Sequence, residues 1–236
     1  SIDSVRKVED EIHVHDSDFS DWFDHEEVEW SLSEILYRSS NVGTILWAQE
    51  IGASLLHNKL QKFGLGRKSE LSCPGEANGI LLPVEKWSGT SLPTIAIGQG
   101  VSVTPLQMLT AYATLANRGL KPAPTLIRSM GNNVDMTFES LKTQPERIIE
   151  SQTADSLVQI IETVVSSGTG RNAQVPGYRV AGKTGTAWKP QLGGYGEEKE
   201  DRRYVVSFAG FFPVDDPEIV ALVVVDEPSS NADSGG

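Results

Sequence analysis

The spacing of the apolar residues changes from helical to strand-like after Val165, and that change constrains the fold more than any other feature. From Ser31 to Val165 apolar residues recur at helical intervals, whereas the segments between Tyr178 and Val225 carry the pattern of strands. Helices that come first and strands that come last predict an α+β fold, a helical lobe plus an antiparallel sheet flanked by helices. The longest apolar run, Ile219–Val225, has seven residues. That suits a buried strand and falls far short of the roughly 18 residues a membrane span needs.

Start and stop signals place the helices. Ser31-Leu32-Ser33-Glu34 is a capping box followed by Ile35 and Leu36, so a helix should end near Arg38. Ser39-Ser40-Asn41 opens a second helix over 42–51, and a third runs over 55–63 until Gly64-Leu65-Gly66 stops it. Residues 64–97, rich in Gly, Pro and Ser, are expected as ordered loop. Thr104, Pro105 and Gln107 start the best-defined helix, with Leu106, Leu109, Ala113 and Ala116 as its buried stripe and Gly119 as its stop. Residues 121–145 are polar, with Gly131-Asn132-Asn133 as a turn. A further amphipathic helix over 153–165 gathers Leu157, Ile160, Ile161, Val164 and Val165 on one face. Strands are predicted over 178–181, 204–212 and 218–225, the last two joined by Val214-Asp215-Asp216-Pro217. The organisation is that of one partial domain: residues 1–145 mainly helices and loops, residues 146–236 a helix and three antiparallel strands.

The net charge of −12 argues against nucleic acid and against an anionic bilayer as partners, since both repel an acidic surface. Eleven of the acidic residues fall within the first 30, against only Arg6 and Lys7, which reads as a solvated acidic segment. Within it, Ile12-His13-Val14-His15 alternates like a half-exposed edge strand. His13, His15 and His25 with Asp16 and Asp24 imitate a metal cluster, but such acidic surroundings read as solvated, and no metal or other cofactor is expected. The single cysteine, Cys73, excludes an internal disulfide and a cysteine-based zinc site; with no base beside it, it reads as a packed or surface thiol in a turn. No signal sequence opens the chain, so any targeting or anchoring segment is expected to lie outside these residues.

Two short motifs carry chemistry. In Lys183-Thr184-Gly185-Thr186 a strand beside an acyl-transfer cleft must admit a substrate backbone, and Gly182, Gly185 and Ala187 would supply that clearance. Lys183 gives positive potential and proton traffic. Thr184 and Thr186 can bind a carboxylate, and the backbone N–H near Thr186 can stabilise an oxyanion. In Ser39-Ser40-Asn41 the chemistry needs Ser39 and Asn41 to face one cleft with Ser40 turned away; Asn41 then orients a substrate amide and Ser39 relays a proton to the leaving amine. Taken singly, Lys-Thr-Gly is a common tripeptide and Ser-Asn a common helix start.

Taken together, the motifs and the strings around them resemble the transpeptidase domain of class B penicillin-binding proteins. The similarity is carried by Trp30–Leu36 leading into Ser39-Ser40-Asn41-Val42-Gly43-Thr44, by Phe63–Gly66 and Pro74-Gly75-Glu76, and by Ile97-Gly98-Gln99-Gly100 running into Thr104-Pro105-Leu106-Gln107. It continues through Gly168-Thr169-Gly170-Arg171, Val180–Ala187 and Phe208–Pro213, and it spans about residue 30 to Pro228. It implies a penicillin-recognising (β-lactamase/transpeptidase-like) fold and a septal D,D-transpeptidase on the extracytoplasmic face of the membrane, anchored by an upstream helix. Its implied partners are D-Ala-D-Ala stem peptides of peptidoglycan, β-lactams, and proteins of the division machinery. Ser39, Asn41 and Lys183 become the catalytic set, with Thr184, Gly185 and Thr186 binding substrate and Gly98-Gln99-Gly100 supporting the helix that begins at Thr104.

The pattern breaks at the nucleophile. The family carries a Ser-x-x-Lys at the start of a buried helix, where the amine takes the serine proton. Ser4-Val5-Arg6-Lys7 has the spacing, yet an acidic period-two stretch follows it and it lies too close to Ser39. The resemblance therefore implies a domain cut short at both ends, inactive alone, with an open sheet edge and an uncovered apolar face that favour self-association or marginal stability. The other readings are a non-catalytic penicillin-recognising scaffold or sensor, and a D,D-carboxypeptidase. A β-lactamase fits less well, because no Glu is placed to activate a deacylating water. Trp188 and Tyr195 flank the Lys183 strand and read as cover for the loop 190–200.

Overall fold

A computed structural model of the protein describes residues 4–69, 71, 74–126, 145–192, 194–195 and 202–229. Cys73, the Gly131-Asn132-Asn133 turn, most of the loop beyond Tyr195 and the final residues 230–236 lie outside the described residues.

The acidic opening segment is more regular than its composition suggests. It forms four short strands, β1 (Val5–Val8), β2 (Glu11–Val14), β3 (Ser17–Ser20) and β4 (Val28–Ser31). β2 and β3 make a hairpin, and β1 pairs antiparallel with β4 from Val5↔Ser31 to Val8↔Val28. The period-two reading holds as far as Val14; His15 enters the left-handed region at φ 61° and turns the chain. Alternation sends Val8 and Trp30 inward while most acidic side chains stay in water. The two pack with Ile35 and Val42 from the helices that follow, and Ile12, Phe23 and Leu46 close the cluster.

Capping fixes the helices where the sequence predicts. Ser31 caps α1 (Leu32–Arg38): its Oγ accepts from Glu34 N–H, and Glu34 Oε2 accepts from Ser31 N–H at 2.8 Å. α2 (Asn41–Ile51) and α3 (Ala53–Lys62) follow, separated at Gly52. The expected loop 64–97 is partly helical, with a 3₁₀ turn at Val84–Lys86 and α4 at Ser91–Ala96. Pro93 lies in the first turn of α4, where its missing N–H removes no helical bond, so a residue that reads as a breaker is compatible with helix.

α5 (Pro105–Ala116) has the expected capping box, but its buried stripe differs from the prediction. Leu106, Leu109, Ala113 and Ala116 are half-buried, and the two fully enclosed residues are polar, Gln107 and Thr114. Their polar atoms are satisfied, which makes the burial tolerable. Gln107 Nε2 donates to the carbonyls of Arg67 at 2.6 Å and Asn78 at 2.8 Å, pinning the Gly-rich loop to the helix. Thr114 Oγ1 donates to Thr110 O at 2.8 Å.

β5 (Leu120–Lys121) pairs with β6 (Glu146–Arg147), which leads into α6 (Ser151–Ser166). α6 buries Ala154, Ile160, Ile161, Val164 and Val165, close to the predicted face, with Leu157 only half-buried. The sheet is β7 (Ala181–Trp188), β8 (Tyr204–Phe212) and β9 (Ile219–Asp226), in that order and fully antiparallel. The strand predicted over 178–181 begins where that range ends and runs through the Lys183 motif. Arg179, just before it, instead forms ion pairs with Glu162 and Asp215. Ile161 of α6 packs on Ala181 and Phe211, and Tyr112 and Leu115 of α5 and Val220 of β9 complete this second cluster. On β9, Ile219, Val223 and Val225 share the other face and are exposed. Among the described residues no helix is long and apolar enough to cross a membrane.

Phe211 is fully buried at the centre of the sheet cluster, while Val223 is 60% exposed. Phe211→Ala should lower the unfolding free energy by about 3–5 kcal/mol, and Val223→Ala by less than about 1 kcal/mol. Urea denaturation followed by tryptophan fluorescence reads both.

Candidate active site

Three elements bring the site together: the α1–α2 junction, the start of β7, and the turn after α6. Ser39 closes α1 in the left-handed region at φ 60°, unusual for a residue with a Cβ. Its N–H still reaches the carbonyls of Ile35 and Leu36, so the strained step is held by the helix it ends. Gly43 allows α2 to start hard against α1, since a Cβ there would sit 2.6 Å from Ile35 Cγ1.

Ser40 is 1% exposed and faces inward, as the Ser-x-Asn reading requires of the middle residue. Its Oγ accepts from Gly43 N–H, capping α2, and donates to Asp21 Oδ2 at 2.7 Å. The Asp21 carboxylate is fully buried and also accepts Val42 N–H at 3.0 Å and a bond from His25 Nε2 at 3.1 Å. Both His25 ring nitrogens face acceptors, because Nδ1 lies 2.7 Å from Glu26 O. Only the imidazolium satisfies both contacts, as it carries two donors. Burial opposes that charge, but the Glu26 carbonyl and the Asp21 carboxylate outweigh it and hold the His25 pKa above its ordinary value. In the sequence Asp21 is one acid among eleven; in the fold it is the buried support of the Ser-x-Asn step.

Ser39 points the opposite way from Ser40. Lys183 Nζ donates to Ser39 Oγ at 2.8 Å, joining residues 144 positions apart. The same amine reaches Thr184 O at 3.2 Å and Thr184 Oγ1 at 3.4 Å. No carboxylate pairs with it among these bonds, and burial pushes its pKa down to about 8. An amine tuned there exchanges a proton readily near neutral pH. Asn41 follows Ser39 on the same step, but its Nδ2 donates to Ser20 O at 3.0 Å, so its carboxamide is held by the β2–β3 hairpin and not by Lys183.

The ladder of β7 explains which atoms face the cleft. Lys189 N–H donates to Arg203 O, and antiparallel pairs alternate between bonded and unbonded. Ala187, Gly185 and Lys183 therefore bond to β8, while Trp188, Thr186 and Thr184 turn N–H and C=O to the outer edge of the strand. The bond from Lys183 Nζ to Thr184 O fits that alternation. Glycine clearance works differently from the sequence reading. A Cβ on Gly182 would lie 2.4 Å from Phe208 Cζ and 2.7 Å from Ala209 O, so the neighbouring strand excludes a side chain there. At Gly185 the near atom is Ser207 Oγ, also on β8.

Three neighbours were not assigned to the site from the sequence. Thr169 Oγ1 lies 3.1 Å from Thr184 Oγ1, tying the turn after α6 to the motif strand. An open groove of about 500 Å³ runs beside this junction, lined by Trp22, Phe23, Tyr37, Arg38, Gly168 and Thr169 among others. Asp21 is the second, and Gln99 the third. Gln99, expected to support the helix at Thr104, instead bonds to the backbone of Trp188. Trp188 and Tyr195 pack ring to ring, 6.3 Å apart, with Arg202 stacked over Trp188. The histidines do not cluster: His13 pairs with Asp18, His15 with Asp16 and His25 with Asp21. Among the described residues no group of three or more metal-ligating side chains forms. Ser4-Val5-Arg6-Lys7 runs into strand β1, with Lys7 paired to Glu27.

Comparison with known proteins gives a consistent family. Residues 3–236 match the penicillin binding protein transpeptidase domain. The chain is 37% identical to the penicillin-binding protein PbpB of Mycolicibacterium smegmatis, over 98% of its own length and 36% of that protein's. It is 38% identical to the stage V sporulation protein D of Bacillus subtilis, over 86% of this chain and 31% of that protein. The crystal structure of penicillin binding protein 3 from Mycobacterium tuberculosis with aztreonam superposes on 100% of this chain and 53% of that one, with a TM-score of 0.86 and 33% identity. The chain thus spans about a third of the length of the curated relatives it matches.

The lowered Lys183 pKa has a stability signature. Between about 8 and the ordinary lysine value of 10.5 the unfolded chain binds the proton that the folded chain releases, so stability should rise with pH across that window. Lys183→Met should flatten that rise, as read by thermal unfolding from pH 7 to 10. Removing the buried support with Asp21→Ala strands three donors and should cost roughly 3–5 kcal/mol, measured by chemical denaturation.

Proposed function

The chain belongs to the penicillin-binding protein transpeptidase family, and on that premise we propose that it is part of a D,D-transpeptidase domain that cross-links peptidoglycan stem peptides during cell division. The observation that carries this reading is the 2.8 Å bond from a partly buried, low-pKa Lys183 to Ser39. In this reading the acylated serine is neither Ser39 nor Ser40, whose hydroxyls serve the site in other ways. Ser4, at the head of a β-strand, lacks the helical setting that presents a serine to its lysine.

In this reading the serine passes its hydroxyl proton to the lysine three residues on, and its oxygen attacks the carbonyl carbon of the penultimate D-Ala. The C–N bond to the terminal D-Ala breaks, and the leaving amine takes a proton through the Ser39 hydroxyl, which Lys183 replenishes. Thr184 and Thr186 bind the terminal carboxylate, Gly185 lets the strand lie flat, and the Thr186 N–H stabilises the oxyanion. Asn41 orients the substrate amide. An amine of a second stem peptide then attacks the ester, forms the cross-link and releases the serine. β-Lactams acylate the same serine, which fits the relatives crystallised with aztreonam and ampicillin. The domain works on the extracytoplasmic face of the membrane, together with division proteins.

Full-length protein should label covalently with a fluorescent penicillin, and Lys183→Ala should slow labelling by roughly 10²–10⁴-fold. Ser4→Ala should label at the wild-type rate. Undiminished labelling of the Lys183 variant, or loss of labelling in the Ser4 variant, would sink the assignment.

A further inference from the structure

β7 is an edge strand whose outer side forms the wall of the site, so something other than sheet pairing must hold its far end. The contact that does so comes from the loop between α4 and α5. Gln99 Nε2 donates to Trp188 O at 2.8 Å, and Trp188 N–H donates to Gln99 Oε1 at 2.9 Å. One side-chain amide thus makes both bonds that a neighbouring strand residue would make. The loop that delivers it is itself fixed. Gln99 N–H bonds to Thr94 O at the end of α4, and a Ser102–Ile80 bridge with mutual backbone bonds ties the loop to the Gly-rich segment.

The consequence follows from the alternation along the strand. On the outer edge of β7, Thr184 C=O is engaged by Lys183 Nζ and Trp188 by Gln99, with Thr186 between them in the same register. Moving Trp188 displaces the Thr186 N–H with it, because two residues of extended chain are one stiff repeat. We propose that Gln99 is a positioning residue that sets the reach of the β7 edge, and through it the placement of the Thr186 N–H and the Lys183 amine for acyl transfer. This inference rests on the transpeptidase reading, and it assigns Gln99 no contact with substrate.

The test uses full-length protein and a fluorescent penicillin, with saturation kinetics that separate the non-covalent dissociation constant from the acylation rate constant. Gln99→Ala should lower the rate constant by roughly 10–100-fold and alter the dissociation constant much less. Hydrogen exchange at the Trp188 amide should speed up, while the amide of buried Phe211 keeps its wild-type protection. Gln99→Glu separates positioning from general destabilisation. Its carboxylate still accepts from Trp188 N–H but faces Trp188 C=O without a donor, and protonation restores an O–H donor there. Its deficit relative to wild type should shrink as pH falls from about 8 to about 5, whereas the Gln99→Ala deficit stays constant. Wild-type acylation in Gln99→Ala, equal changes in binding and acylation, or a Gln99→Glu deficit that ignores pH would each overturn the proposal. A wild-type protein that takes no penicillin would instead overturn the transpeptidase reading, and the exchange data would still report on the clamp.

Discussion

A partly buried ammonium with no carboxylate partner among the described residues is the constraint around which this molecule is arranged. Lys183 satisfies its amine with the Ser39 hydroxyl and with the carbonyl and hydroxyl of Thr184, all neutral acceptors. Burial disfavours the charged amine and no carboxylate offsets it among these bonds, so the proton is held loosely and the pKa falls to about 8. A salt bridge at this position would steady the fold but hold the proton too tightly for it to move. The site gives up stability for a transferable proton, as buried catalytic groups commonly do.

That arrangement demands rigid supports on both sides, and each is built from short-range polar contacts. On the helical side, Asp21 gathers the Ser40 hydroxyl, the Val42 N–H and the His25 imidazolium, which fixes the sharp turn that presents Ser39. On the sheet side, Thr169 steadies Thr184 near the start of β7, and Gln99 steadies Trp188 at its end. Apolar packing brings the elements to the right neighbourhood, through Val42 and Ile35 on one side and Ile161, Ala181 and Phe211 on the other. Packing is non-directional, however, and placing two heteroatoms 2.8 Å apart requires hydrogen bonds.

How much of this was legible in the sequence depended on the range of the interaction. Both capping boxes, Ser31 with Glu34 and Thr104 with Gln107, were readable because capping joins residues three apart. The α6 face was readable because its buried apolar residues recur at helical spacing along a long helix. The stripe on α5 was misread because that helix is covered by both the sheet and α6, and its innermost residues are polar groups bonded to a distant loop. The sheet that follows α6 and the pairing of Ser39 with Lys183 were both expected, whereas the four short strands before α1 were read only as irregular or edge-strand chain. The roles of Asp21 and Gln99 were not. Nothing local distinguishes the one acid that turns fully inward from its mostly exposed neighbours. Nor does anything local reveal a glutamine whose partner is a backbone 89 residues away.

The two supports also differ in how they respond to protons, and the difference bounds the conditions in which the site stays assembled. His25 holds its pKa above the ordinary value because both ring nitrogens meet acceptors, with Asp21 beside it and Asp10 adding to the field. A group shifted in that direction stabilises the fold at low pH, and the contribution is lost as pH rises through the folded pKa. Lys183 is shifted the other way, so the cost of its burial is full below about pH 8 and falls away between there and 10.5. Acid therefore secures the turn that carries Ser39 and fixes the proton on Lys183, and base does the reverse. A cleft that needs a firm Ser39 together with a Lys183 able to give its proton and regain it is confined to the interval where neither titration has run to completion. The lowered lysine and the raised histidine bring that interval toward neutrality.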